Sequence, residues 1–106
     1  HQEPVLNLQQ AIAAYNEALR YYNPEQEPLH YGMLQNNLGT AYWNLAQCEQ
    51  ATNELAMAED FLRLAIGAYR VALVYRTLEA APVAYAATQN NLGTAYWHLA
   101  SQHSIH

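Results

Sequence analysis

Gln35-Asn36-Asn37-Leu38-Gly39-Thr40-Ala41-Tyr42-Trp43-Asn44-Leu45-Ala46 returns 54 residues later as Gln89-Asn90-Asn91-Leu92-Gly93-Thr94-Ala95-Tyr96-Trp97-His98-Leu99-Ala100. Extended in both directions, the comparison matches residues 11–46 to 65–100 at 21 of 36 positions without a gap. A block this long at a fixed spacing is the mark of a helical-repeat array, in which each unit buries its apolar face on the next. The 106 residues therefore divide into a half-unit 1–28, a full unit 29–82 and a half-unit 83–106 of a single domain.

Apolar periodicity predicts four helices. In the first, from Val5 to about Tyr22, Leu8, Ile12, Tyr15, Leu19 and Tyr22 recur in steps of four and three, one stripe of an amphipathic helix. Asn23-Pro24-Glu25-Gln26-Glu27-Pro28 ends it, because proline lacks an amide donor and disfavours helical geometry in the residue before it. The second helix, about Leu29 to Gln47, places Leu34, Leu38, Ala41, Leu45 and Cys48 on one stripe, and Met33, Asn36, Thr40, Trp43, Asn44 and Gln47 on the other face. Glu49 to Asn53 is polar but holds neither glycine nor proline, so Gln47 to Asn53 reads either as a turn or as a stretch able to continue as helix. Thr52 or Asn53 is the candidate cap of a third helix carrying Leu55, Ala58, Leu62, Ile66, Tyr69 and Leu73. It runs to about Leu78 and is the longest predicted element; a fourth runs from about Val83 to Ser101.

Charge is distributed unevenly. Four arginines and nine acidic residues give a net charge of -5, with no lysine, which excludes the broad basic footprint of a nucleic-acid binder. All of these charges fall in 1–27 and 49–79, so the second and fourth helices carry none. No apolar run is long enough to cross a membrane and no leader pattern is present, so a cytoplasmic protein is expected. Cys48 reads as a small buried residue rather than a nucleophile, and Glu59-Asp60 as solvated charges. Of His98, His103 and His106, the first two are five apart rather than the three or four that puts two ligands on one helix face, so neither metal nor other cofactor is expected. No phosphate loop, nucleophile elbow or metalloprotease signature occurs, and the expectation is a non-enzyme.

Leu38-Gly39-x-x-Tyr42 and Leu92-Gly93-x-x-Tyr96 resemble the first-helix signature of the tetratricopeptide repeat. Ala11-x-x-x-Tyr15-x-x-Ala18 and Ala65-x-x-x-Tyr69-x-x-Ala72 resemble its second-helix signature. The resemblance covers nearly the whole chain and is nearest to the long-loop kinesin-light-chain and bacterial multi-repeat types. The usual unit is about 34 residues. The 54-residue spacing departs from that, with extra length in the proline-bearing loop and ahead of Ala65. The resemblance implies an all-α, right-handed solenoid whose first-type helices line a concave groove for a peptide or partner protein. It places Met33, Asn36, Asn37, Thr40, Trp43 and Asn44 on one groove helix, and Ala87, Asn90, Asn91, Thr94, Trp97 and His98 on the other. The lysines and arginines with which some members clamp a carboxylate are absent, and Asn37 and Asn91 match only the asparagine part.

Each feature also has a structural reading. Charge-free helices are expected to be covered by neighbours, or to form a neutral groove whose asparagines grip peptide backbone; the two are compatible. Trp43 and Trp97 are the sharpest binding candidates, or else pack on the adjacent repeat. Gly39 and Gly93 are expected where paired helices touch with no room for a side chain. Tyr21, Tyr22 and Tyr75, near helix ends, are expected to be exposed. The function expected is a peptide-binding scaffold; the alternative is a structural or oligomerising segment of a longer array. Neither end carries a polar capping unit, so self-association is expected, as a dimer formed by helix exchange or by end stacking.

Overall fold

The computed structural model describes residues 2–105, and the side chains of 3–102. Four helices run in order, α1 (Gln2–Tyr21), α2 (Pro28–Ala51), α3 (Leu55–Tyr75) and α4 (Pro82–Ile105), with no strand among the described residues. Each packs on the next. Gly32 of α2 meets Arg76, just past the end of α3, Gly39 meets Tyr69, and Tyr42 stacks on Phe61, so α2 and α3 run antiparallel. Arg76 also reaches Thr88 and Gln102 reaches the Leu55 carbonyl, which makes α3 and α4 antiparallel in turn.

The helix ends show why the chain folds back where it does. Asn23 closes the first loop as an Asx turn, its Oδ1 accepting the Glu25 amide at 2.8 Å and its carbonyl accepting the Glu27 amide at 2.8 Å; Pro28 then opens α2 without losing a needed donor. Between α2 and α3 the chain does turn. Glu54 N–H donates to the Glu49 carbonyl at 2.8 Å and Asn53 N–H to the Gln50 carbonyl at 3.0 Å, the two bonds of a Schellman motif. Asn53 sits at the left-handed position with φ 67°, the one non-glycine residue with positive φ among those described. The continuous-helix alternative for Gln47 to Asn53 is thereby corrected: asparagine, the residue that best tolerates that conformation after glycine, supplies the stop. The expected cap is corrected too. Neither Thr52 nor Asn53 caps α3; Glu54 holds that position without a side-chain bond, and the Thr52 hydroxyl instead donates back to the Glu49 carbonyl.

The third helix is shorter than expected. It stops at Tyr75, because Thr77 takes over the backbone, its Oγ1 accepting the Ala80 amide and its carbonyl the Ala81 amide. At 24 residues each, α2 and α4 exceed its 21. The extra residues of the 54-residue unit are thus helical from Leu55 onward, lengthening the helix pair.

The core lies between α2 and α3. Leu34, Leu38, Ala41 and Leu45 of α2 and Ala58, Leu62 and Ala72 of α3 are buried there, while Ala65, Ile66 and Tyr69 of α3 cluster with Ala95 of α4. Leu45 and Leu62 are fully buried, worth about 1.5–3 kcal/mol each. A second buried row on α2, Gly32, Gly39 and Ala46, repeats every seven residues and brings the α3 backbone close. At Gly39 an added Cβ would stand 2.7 Å from the Tyr69 ring. Gly93 does not behave alike: nothing lies within 4 Å of the same point, and the expectation of a helix contact there is corrected, because no helix among the described residues covers that face. Tyr21 is exposed as expected, but Tyr22 and Tyr75 are half-buried, Tyr22 stacking on His30 and Tyr75 standing edge-on to Tyr31.

Candidate functional site

The charge-free stretch 28–48 of α2 and the charge-free α4 lie parallel, joined by side chains across their shared edge. Asn36 Oδ1 accepts from the Thr88 hydroxyl at 2.8 Å and from Asn91 Nδ2 at 3.2 Å, while Arg76 donates to Thr88 Oγ1 at 2.8 Å. Four residues from α2, α4 and the end of α3 thus form one polar chain. Burial lowers the pKa of the Arg76 guanidinium from its ordinary value. Bonding to a charged donor is stronger than a neutral bond, so this chain fixes α4 against α2.

Further along the same edge, Thr40, Trp43 and Tyr69 meet Asn91 and Thr94 around a depression of about 140 Å³. The Thr40 and Tyr69 hydroxyls share a hydrogen bond of 2.9 Å. Burial pushes the Tyr69 phenol up from its ordinary pKa, and the Thr40 bond draws it partly back. Trp43 is half-buried against Ala65, Ile66, Tyr69 and Ala95, and its indole N–H is buried without a protein partner. His98 stands edge-on to both tryptophans, with ring centroids 5.4 Å from Trp43 and 5.2 Å from Trp97. Trp97 itself is 66% exposed.

The candidates named from sequence therefore separate. Asn36 and Asn91 bond to one another, Thr40, Trp43, Asn91 and Thr94 share one depression, and Trp43, His98 and Trp97 form a row of rings. Asn37 and Asn44 are half-buried, and Ala87 is exposed. Asn90 lies exposed with Gln89, Gly93, Thr94 and Trp97 around a wider depression of about 370 Å³ on the outer side of α4. Met33 stands apart, in a depression with Glu27, Pro28, Leu29 and His30.

Sequence reasoning missed Arg76, Thr88 and Gln102. Thr88 is fully buried and Gln102 is 4% exposed, its Nε2 donating to the Leu55 carbonyl at 2.7 Å. A signal existed for two of them: Thr88 stands where the first copy has Leu34, and Arg76 where it has Tyr22, polar departures inside an otherwise shared repeat pattern.

Among the described residues no cluster of three or more His, Cys, Asp or Glu is placed to hold a metal ion, and no helix is long and apolar enough to cross a membrane. The side chain of His103 and all of His106 lie outside the described residues. Cys48 is a free, half-buried thiol, and Glu59 is bound to Arg63 at 3.2 Å. Compared with family models, curated proteins and solved structures, the chain has no match.

Proposed function

We propose that the chain forms a right-handed tetratricopeptide-like solenoid and serves as a non-enzymatic scaffold, binding an uncharged peptide segment along the shared edge of α2 and α4. The observation that carries this reading is the meeting of Thr40, Trp43, Asn91 and Thr94 from two parallel helices around one depression free of charged side chains. Hydroxyls and amides there offer both donors and acceptors to a peptide backbone, and Trp97 beside them offers an exposed ring of the kind that dominates interface affinity. Panning a phage-displayed peptide library against the immobilised chain tests it. Enriched peptides are expected to be poor in charge and to bind with less than about a tenfold change between ~50 and ~500 mM salt, because screening acts on charge pairs. Trp97→Ala, at an exposed site where truncation costs little stability, is expected to weaken them by about tenfold or more. Binding that is strongly salt-dependent, or indifferent to Trp97→Ala, defeats the reading. One observation favours the structural, oligomerising alternative: the uncovered face of α4 around Gly93.

A further inference from the structure

The chain contains two half-interfaces matched in sequence, one filled and one open. The ends of its helix units fall at equivalent positions: α1 ends at Tyr21 and α2 begins at Pro28, while 54 residues later α3 ends at Tyr75 and α4 begins at Pro82. The pair α3–α4 therefore sits on α2 as a unit with the same loop length as α1–α2. On α2 the receiving surface is Gly39, covered by the Tyr69 ring, with Thr40 bonded to the Tyr69 hydroxyl and Trp43 packed beside them. On α4 the corresponding Gly93 is open to 4 Å, Tyr96 and Trp97 are exposed, and a depression of about 370 Å³ lies over Gln89, Asn90, Gly93, Thr94 and Trp97.

The complementary half is α1. The residues that α3 buries, Ala58, Leu62, Ala65, Ile66, Ala68, Tyr69 and Ala72, correspond to Pro4, Leu8, Ala11, Ile12, Ala14, Tyr15 and Ala18, all apolar and every one less buried than its counterpart. We propose that the open face of α4 receives the α1–α2 pair of a second copy of this chain, head to tail, with Tyr15 of the incoming copy on Gly93 as Tyr69 lies on Gly39. Thr94, whose hydroxyl now bonds its own helix at the Asn90 carbonyl, takes the place of Thr40 opposite that phenol. Asn90 takes the place of Asn36 and accepts from Asn37 of the incoming copy, which matches Asn91. No Asp, Glu, Lys or Arg lies on α4 to oppose the contact. Because donor and acceptor faces differ, the contact is heterologous and adds copies in series rather than closing a symmetric pair.

Two substitutions at sites exposed in the single chain test this without touching the core. Gly93→Leu fills the receiving point, and Ala14→Glu puts a charge where α1 would be covered. By light scattering after size exclusion, the unaltered chain is expected to grow in mean mass with concentration, from the 12.0 kDa monomer upward. Each variant alone is expected to stay at 12.0 kDa, with helix content unchanged by circular dichroism. An equimolar mixture of the two keeps one intact donor and one intact acceptor, and is expected to give a 1:1 pair and nothing larger. An unaltered chain that stays monomeric at ~100 μM, where even weak apolar contacts are populated, overturns the proposal. So does association that persists in either variant alone, or a mixture that remains monomeric.

Discussion

Gly39 and Gly93 sit in the same twelve-residue block, with the same neighbours along the chain for four residues on either side, yet one is pressed against a tyrosine ring and the other faces open space. The difference lies in the chain beyond each block. Past Gly39 the Schellman turn at Asn53 sends α3 back across α2 and lays Tyr69 on the glycine. Nothing among the described residues returns across α4. The comparison teaches that a repeat motif specifies a surface, while the element that comes back over it decides whether the surface is core.

The sharpest way to break that comparison is to fill both glycines. Gly39→Leu is expected to cost ~1–3 kcal/mol or more, since its Cβ alone would meet the Tyr69 ring at 2.7 Å. Gly93→Leu is expected to be neutral or to gain up to ~1 kcal/mol, because nothing opposes it and leucine is the better helix former. Urea unfolding of both at low concentration decides; equal midpoints would mean the two sites are equivalent after all. The asparagines offer a parallel pair. Asn36→Ala strands Asn91 and the buried Thr88 and is expected to cost ~1–3 kcal/mol, whereas Asn90→Ala, at an exposed position, should stay within ~0.5 kcal/mol. The same unfolding measurement separates them.

The turn that creates the difference can be weakened directly. Asn53→Ala puts an ordinary side chain at φ 67° and is expected to cost ~1–2 kcal/mol, while Asn53→Gly should hold or slightly raise stability. Matching midpoints for the alanine and glycine variants would show that this residue is not what stops α2. The smallest effect is electrostatic. Because burial raises the Tyr69 pKa in the folded chain, the folded state holds that proton longer than the unfolded state does. The resulting stability is full below the unfolded value near ~10 and declines as pH rises through the higher folded value. Stability measured from pH 8 to 12 should show that decline in the parent and a shallower one in Tyr69→Phe; identical slopes would remove Tyr69 as its source.

Much of the fold was legible because duplication read each helix twice. The stripe of Leu8, Ile12, Tyr15, Leu19 and Tyr22 is half-buried throughout, and Leu34, Leu38, Ala41 and Leu45 are core, as their spacing demands. The α2–α3 turn was less legible, since an asparagine in the left-handed region looks like any polar residue until its backbone is seen. The site was the least legible part. Its asparagines and tryptophans were identifiable as a class, but which of them face each other depends on the sideways offset of α4 on α2. Periodicity within one helix carries no information on that offset, so the pairing of Asn36 with Asn91, rather than any role shared with its repeat counterpart Asn90, could only come from the structure.

Thr88, Ala95 and Gln102 stand seven residues apart on α4, all buried, polar at the two ends and apolar between. At 1.5 Å per residue the outer two are about 21 Å apart along the axis. Each engages a fixed mate, the Asn36 carboxamide at one end and the Leu55 carbonyl at the other. They work like two teeth of a key. An apolar strip alone would let α4 slide by a helical turn with little change in buried area, but such a slip would pull both teeth from their slots at once, stranding buried polar atoms at ~1–3 kcal/mol apiece. The helix is thereby held to a single axial setting, and the row of rings from Trp43 through His98 to Trp97 inherits its alignment from two polar side chains that touch none of those rings through a hydrogen bond.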